Sequence, residues 1–174
     1  KLLFLEASGL QLRDLTGLEA AKNLEVLILR DNFIEDLSPL SNLSKLRKLD
    51  LSGNRIRSLA PLEGLSLAKM KQEFYGLATS LESRTLTKDA KARLEADVNK
   101  VVARINEGPW ALRDLSLANN RLLGLTGVGS LTSLRYLDVS RNSLIDLEGV
   151  GRLKSLITLN AQRNQLGRVE AYVD

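Results

Sequence analysis

Apolar residues recur along this chain at a fixed spacing. From Leu24 the sequence reads LEVLILRDNFIEDLSPL, and from Leu46 it reads LRKLDLSGNRIRSLAPL, with leucine or isoleucine at matching positions. The offset is 22 residues (46 − 24), and an asparagine stands at the same place in both copies. The L-x-L core puts two leucines on one face of a short strand, which a single repeat cannot bury alone. The pattern therefore predicts stacked repeats that share a continuous core.

Four further copies of this pattern begin at Leu2, Leu112, Leu134 and Leu156. The repeated asparagine can both donate and accept hydrogen bonds, so we expect it to pair with backbone groups of adjacent turns. These positions are Asn32, Asn54, Asn120, Asn142 and Asn164, and Leu10 replaces asparagine in the first repeat. An aspartate precedes a return-segment leucine in three repeats, and it either caps a short helical turn or is a solvated loop carboxylate. These aspartates are Asp14, Asp36 and Asp146.

The pattern stops after Leu65 and resumes at Leu112. Asn54 and Asn120 are 66 residues apart, which is three periods of 22, so the 44 residues from 68 to 111 keep the repeats in phase. In further repeats, Lys71 and Glu73 would stand at leucine positions and Gly76 at the asparagine position. We therefore interpret residues 68–111 as an insertion between two stretches of repeats, 1–67 and 112–174.

The insertion has a helical period. Apolar residues lie three and four apart from Leu67 to Leu81 and again from Ala90 to Ile105, which is typical of two amphipathic helices. Residues 82–86 predict a turn, Thr87 is a candidate N-cap, and Gly108-Pro109 is a strong stop signal. The economical structure is an antiparallel helical hairpin. Trp110, beside the restart of the repeats, either contacts the solenoid or shields its edge, with plain core packing the simpler role.

The composition of the 174-residue chain excludes several kinds of site and partner. The chain has no cysteine and no histidine, which excludes disulfides, thiolate metal sites and the commonest general base and zinc ligand. The net charge of +4 comes without a run of basic residues, so we expect no nucleic-acid partner. No apolar run reaches the roughly 18 residues that span a bilayer, so we expect no membrane insertion. We expect no cofactor and no metal. The chain begins inside a repeat at Lys1, and we expect it to be a fragment.

The 22-residue period and the segment from Ile34 to Leu40, IEDLSPL, resemble the internalin type of leucine-rich repeat. The same subfamily includes the regulatory subunit of protein phosphatase 1. The resemblance covers about three quarters of the chain, everything outside the insertion. It implies an α/β fold, namely a right-handed solenoid with a parallel sheet on its concave side. It also implies protein binding, commonly through the concave face, and bacterial members are often surface adhesins or invasins.

Candidate partner-binding residues lie at the positions that flank the L-x-L core and just outside them. An apolar group near the first repeats marks contact either with a partner or with another part of the same protein. A second group combines a tyrosine with arginines, residue types enriched at interfaces, although an ordinary solvated face would look similar. A sparse acidic column accompanies them, and we expect its carboxylates to form salt bridges rather than to bind metal. The three sets are Phe4, Val26, Ile28 and Phe33; Tyr136 with Arg121, Arg141 and Arg163; and Asp50 with Asp138.

These observations predict a non-enzymatic module that binds a protein partner through the concave face, the helical insertion or both. The setting is either a bacterial surface protein of the adhesin type or a regulatory domain of a larger intracellular signalling protein. An enzyme is disfavoured, because the carboxylates are spread over an open surface and no glycine-rich phosphate loop is present. The sequence does not predict an oligomeric state or a cellular compartment.

Overall fold

Six short parallel strands form a single sheet whose order follows the chain. The computed structural model describes residues 2–65, 67–81, 83, 86–106 and 112–167. The strands are β1 (Phe4–Glu6), β2 (Val26–Ile28), β3 (Lys48–Asp50), β4 (Asp114–Ser116), β5 (Tyr136–Asp138) and β6 (Thr158–Asn160). Return segments contain 3-10 helices at Leu18–Ala20, Ser38–Leu40, Ala60–Leu65, Val128–Ser130 and Val150–Arg152. The fold is the leucine-rich-repeat solenoid with a helical insertion that the sequence predicts.

The middle residue of each strand is a leucine that points into the core. Leucines of the strands and of the return segments form one buried cluster from Leu15 to Leu153. Leu5 of β1 and Leu159 of β6 are only half-buried, because each strand at the end of the sheet has a neighbour on one side alone. The core is therefore continuous along the solenoid, as stacking of incomplete repeats requires.

The repeated asparagines form a ladder inside the solenoid, as predicted. Asn142 Oδ1 accepts the Leu122 N–H at 3.0 Å, and its Nδ2 donates to the Leu117 and Val139 carbonyls at 2.9 and 3.0 Å. The other four asparagines repeat this scheme, each reaching back to the preceding turn. Leu10 has no such role and is 62% exposed. The ladder thus supplies partners to backbone groups that the short strands leave unpaired.

The return-segment aspartates hold the turns that precede the 3-10 helices. Asp36 Oδ1 accepts the Ser38 N–H at 2.8 Å and the Ser38 hydroxyl at 2.6 Å, and Asp14 bonds Thr16 in the same way. The helix that begins at Ser38 has Leu37 at its N-cap position and no side-chain cap. These carboxylates are therefore neither caps nor merely solvated, since they close an Asx-turn.

The insertion leaves the sheet uninterrupted. β3 pairs with β4 in the same register as every other neighbouring pair, with Lys48 opposite Asp114. Asn120 Nδ2 donates to the Leu51 carbonyl at 2.9 Å, so the ladder also continues across the junction. A segment of two whole periods keeps the register because it returns the chain at the same point of the turn.

Two helices, α1 (Leu67–Leu81) and α2 (Lys88–Asn106), pack against each other as the predicted hairpin. Thr87 Oγ1 accepts the Ala90 N–H at 3.3 Å, which confirms the predicted N-cap of α2. Val101 of α2 is buried, and it does not belong to the leucine cluster of the solenoid. α1 also contacts the 3-10 helix at Ala60–Leu65.

Several sequence predictions in this region fall beyond what the structure covers. Glu82, Arg84 and Thr85 of the predicted turn, together with Gly108-Pro109 and Trp110, lie outside the described residues. The division at 67/68 and 111/112 stays a prediction. Across the described ranges, neither helix has the length and apolar character needed to cross a lipid bilayer.

Candidate functional site

The residues on either side of each central strand leucine form two columns on the concave face. The register puts Phe4, Val26, Lys48, Asp114, Tyr136 and Thr158 in the first column. The second column consists of Glu6, Ile28, Asp50, Ser116, Asp138 and Asn160. Because strand side chains alternate, both columns face away from the leucine core. This face carries most of the side chains that the sequence singles out.

The apolar group at the first repeats is brought together only in part. Phe4 is 54% exposed and lies opposite Val26, while Ile28 is half-buried in the next column. Phe33 lies beyond the end of β2, and its ring centroid is 4.4 Å from Arg55 Cζ and 5.4 Å from Arg13 Cζ. Phe33 therefore makes cation–π contacts with two guanidinium groups.

Tyr136 lies in a shallow depression at the centre of the concave face. Three carboxylates of neighbouring strands (Asp50, Asp114 and Asp138) line it, together with Arg30 and Lys48. The Tyr136 hydroxyl donates to Asp138 Oδ2 at 3.2 Å. Burial raises the pKa of Tyr136, and the negative charge of Asp138 adds to the effect. The phenol therefore remains a neutral hydrogen-bond donor, and the residue as a whole is 37% exposed.

Asp50 and Asp138 are held by the fold. Arg30 Nε lies 2.6 Å from Asp50 Oδ2, and this hydrogen bond raises the pKa of Arg30. The expected salt bridge of the acidic column is thus confirmed for Asp50. Asp138 instead accepts hydrogen bonds from the Ser140 N–H at 2.9 Å and from Asn160 Nδ2 at 3.1 Å. Within the part of the chain that the structure describes, no group of three or more acidic side chains is arranged to hold a metal ion.

Asp114 and Lys48 are two site residues that the strand pattern predicts for the concave face but that are not among the candidate binding residues. Asp114 is half-buried and Lys48 is exposed, and they are register partners on β3 and β4. No ion pair joins either side chain to another residue among those described. The alternation of the strand predicts their place in the first column, but it does not predict that their charges stay unpaired. They leave one open negative and one open positive charge in the depression.

The three arginines that the sequence groups with Tyr136 lie past the ends of their strands. Arg121, Arg141 and Arg163 are exposed, and none of them lines the depression around Tyr136. Arg141 and Arg163 have left-handed backbone conformations, with φ of 55° and 56°. The surface thus has an acidic and aromatic centre and an arginine-bearing rim.

Comparison with known proteins agrees with this architecture. Residues 22–64 match the family described as Leucine Rich repeats (2 copies), and residues 130–154 match the family described as Leucine Rich repeat. The chain is a leucine-rich repeat protein. No curated protein matches it in sequence. Leucine-rich repeat proteins are in general protein-interaction modules.

Solved structures assign the repeats to the internalin type. An internalin C2 from Listeria monocytogenes is 26% identical to this leucine-rich repeat chain, with a TM-score of 0.52. The match covers 95% of this chain and 64% of the internalin C2 chain. A leucine-rich repeat protein of Leptospira interrogans (24% identity, TM-score 0.61) and the functional domain of InlJ from Listeria monocytogenes (20% identity, TM-score 0.61) share the fold. Both matches cover 95% of this chain. They cover 32% of the Leptospira protein and 26% of the InlJ domain. The chain therefore spans less than two thirds of each relative.

Proposed function

We propose that this leucine-rich repeat chain is a non-catalytic module that binds a protein partner through the concave face of its sheet. The observation that carries the proposal is the depression around Tyr136. An aromatic ring there is partly open to solvent beside the open charges of Asp114 and Lys48. Interface hot spots commonly combine an aromatic anchor with polar groups that fix orientation.

The same face offers a rigid platform. Asp50 and Asp138 are held by Arg30, Ser140 and Asn160, so the side chains around Tyr136 are ordered before any partner arrives. Ordering side chains in advance reduces the entropy that binding must overcome. Phe4, Val26 and Ile28 extend the surface towards the first repeat with apolar contact area. We propose that a partner lies across the strands from this apolar end to Tyr136.

The helical hairpin is the second candidate contact. Tyr75 of α1 is 66% exposed, and it packs edge-to-face with Phe74 at a centroid distance of 5.6 Å. An exposed aromatic side chain on a helix that is not part of the solenoid core favours a role in recognition. A bracing role for the hairpin would instead require no contribution from Tyr75.

The resemblance to internalins favours a bacterial surface protein of the adhesin type as the setting. The alternative is a regulatory domain of a larger intracellular signalling protein. The sequence that flanks this chain in its gene discriminates between them. A secretion signal or a wall anchor supports the surface role, whereas a flanking GTPase or kinase domain supports the alternative.

The test is a quantitative capture experiment with the whole chain as bait. Three variants are compared with the unchanged chain. They are the double variant Tyr136→Ala/Asp114→Asn on the concave face, the single variant Tyr75→Ser on the hairpin, and the double variant Leu123→Ala/Ile145→Ala as a control. Leu123 and Ile145 are 67% and 62% exposed apolar residues outside both concave columns. We expect the concave variant alone to lose the protein that the unchanged chain captures. Equal capture by the concave variant and the control would refute the proposal, and loss with Tyr75→Ser would move recognition to the hairpin.

A further inference from the structure

Every repeat has a left-handed backbone residue where the chain leaves the strand. The residues are Gly9 (φ 68°), Asp31 (52°), Gly53 (69°), Asn119 (55°), Arg141 (55°) and Arg163 (56°). Positive φ suits glycine, which has no Cβ, and is tolerated by asparagine and aspartate, whose short side chains bond locally. The first four repeats follow this preference. The last two place arginine there, although arginine gains nothing locally from this conformation.

The two arginines are also side by side. The Arg141 N–H donates to the Gln162 carbonyl at 2.8 Å, so Arg141 and Arg163 occupy the same position of adjacent turns. Adjacent strands lie about 4.8 Å apart, so the two backbone positions are close neighbours. Both side chains are exposed, and neither makes a hydrogen bond, ion pair or ring contact with a described residue. The pair therefore keeps a strained backbone at two neighbouring exposed positions and gains no contact from the described part of the chain.

Strain kept at an exposed position indicates that the side chain serves something other than the fold. Guanidinium groups match carboxylates and phosphates because their planar fork makes two parallel hydrogen bonds. Both an acidic protein segment and a nucleic acid carry such groups, and the charges at the centre of the concave face distinguish between them. Three carboxylates (Asp50, Asp114 and Asp138) outnumber the two cations Arg30 and Lys48 there, so the centre offers no positive track for the evenly charged phosphate backbone of a nucleic acid. A protein segment can place acidic residues over the rim alone.

We propose that Arg141 and Arg163 bind an acidic stretch of the protein partner at the rim of the concave face. This inference rests on the proposed function and adds the charge of the bound segment. It makes an unusual joint prediction. Replacing both arginines by asparagine relieves the backbone strain, so the fold becomes more stable while binding becomes weaker.

The experiment uses the whole chain and a fluorescein-labelled oligoglutamate peptide, with binding measured by fluorescence anisotropy at low salt. Arg141→Asn/Arg163→Asn is compared with Arg113→Gln/Arg135→Gln, which removes the same charge from exposed residues that directly precede β4 and β5. We expect the first variant to raise the Tm by roughly 2–4 °C and to weaken peptide binding by about tenfold or more. The control variant should leave the Tm and most of the binding unchanged.

Three outcomes would overturn the inference. These are an unchanged chain that fails to bind the peptide, equal weakening in both variants, and single-stranded DNA of equal charge that binds more tightly and depends on the same two arginines. The capture experiment with Tyr136→Ala/Asp114→Asn is independent of these measurements. Loss of the partner there, with no effect of Arg141→Asn/Arg163→Asn on either readout, refutes the arginine rim alone.

Discussion

The asparagine ladder allows a quantitative prediction for Asn142→Leu. Asn142 makes four hydrogen bonds, but most of the groups it contacts have a second partner. The Leu117 carbonyl also accepts from Asn120 Nδ2 at 3.1 Å, and the Val139 carbonyl also accepts from Asn164 Nδ2 at 2.9 Å. The Ser140 carbonyl keeps the Asn119 N–H at 2.9 Å. Only the buried Leu122 N–H, 3.0 Å from Asn142 Oδ1, loses its sole partner.

One stranded buried donor costs about 1–3 kcal/mol, so we expect a loss of about 2 kcal/mol in the free energy of unfolding. For a chain of this size the Tm should fall by roughly 4–8 °C. Urea unfolding followed by circular dichroism measures the change, and an unaltered m-value shows that the transition has kept its character. Thr132→Leu, at an exposed return-segment position, controls for the added leucine. Asn164→Leu, at the half-buried end of the ladder, should cost less. A loss below about 0.5 kcal/mol for Asn142→Leu would refute the reasoning, because surface substitutions alone reach that value.

Three further predictions concern other parts of the fold. Excision of residues 68–111 should leave a folded solenoid with less helical circular dichroism, because β3 and β4 already pair in register; an unfolded product would show that the hairpin belongs to the core. Gly64→Ala should destabilise the chain by about 1–3 kcal/mol in urea unfolding, since its Cβ would lie 2.5 Å from the Ser41 carbonyl oxygen; a neutral result would contradict that close contact. Hydrogen bonds from Ser38 lower the pKa of Asp36, so its stabilisation is complete above about pH 4 and is lost as the pH falls through the lower folded pKa. The Tm difference between the unchanged chain and Asp36→Asn should therefore shrink at acid pH, whereas a constant difference would argue against this linkage.

Gly76→Ala is the matched control for Gly64→Ala. Gly76 lies inside α1, and nothing would come within 4 Å of an added Cβ. Alanine also favours the helix by up to about 1 kcal/mol over glycine. The same substitution should therefore have opposite effects at the two glycines.

The sequence predicted the elements whose positions follow from a period. Two turns fold alike when residues recur every 22 positions, so the strand register and the ladder could be predicted from Leu24 and Asn32 onward. Contacts between residues at different positions of the repeat could not be predicted in this way. Phe33 was placed with the apolar group, yet it contacts Arg13 and Arg55, because long arginine side chains reach residues that a column diagram separates. The left-handed conformation of Arg141 could not be predicted either, since a pattern of apolar residues does not specify a backbone dihedral angle.

The pairing of β3 with β4 has a consequence for the order of folding. Other neighbouring strands close a loop of one 22-residue period, whereas β3 and β4 are 66 residues apart. Tripling the loop adds about 1 kcal/mol of closure entropy, by (3/2)RT ln 3. We therefore expect each half of the solenoid to nucleate on its own and the junction between β3 and β4 to form after them. If the hairpin forms first, it shortens the effective loop between β3 and β4. The inserted helices would then speed the pairing of the two halves of the solenoid.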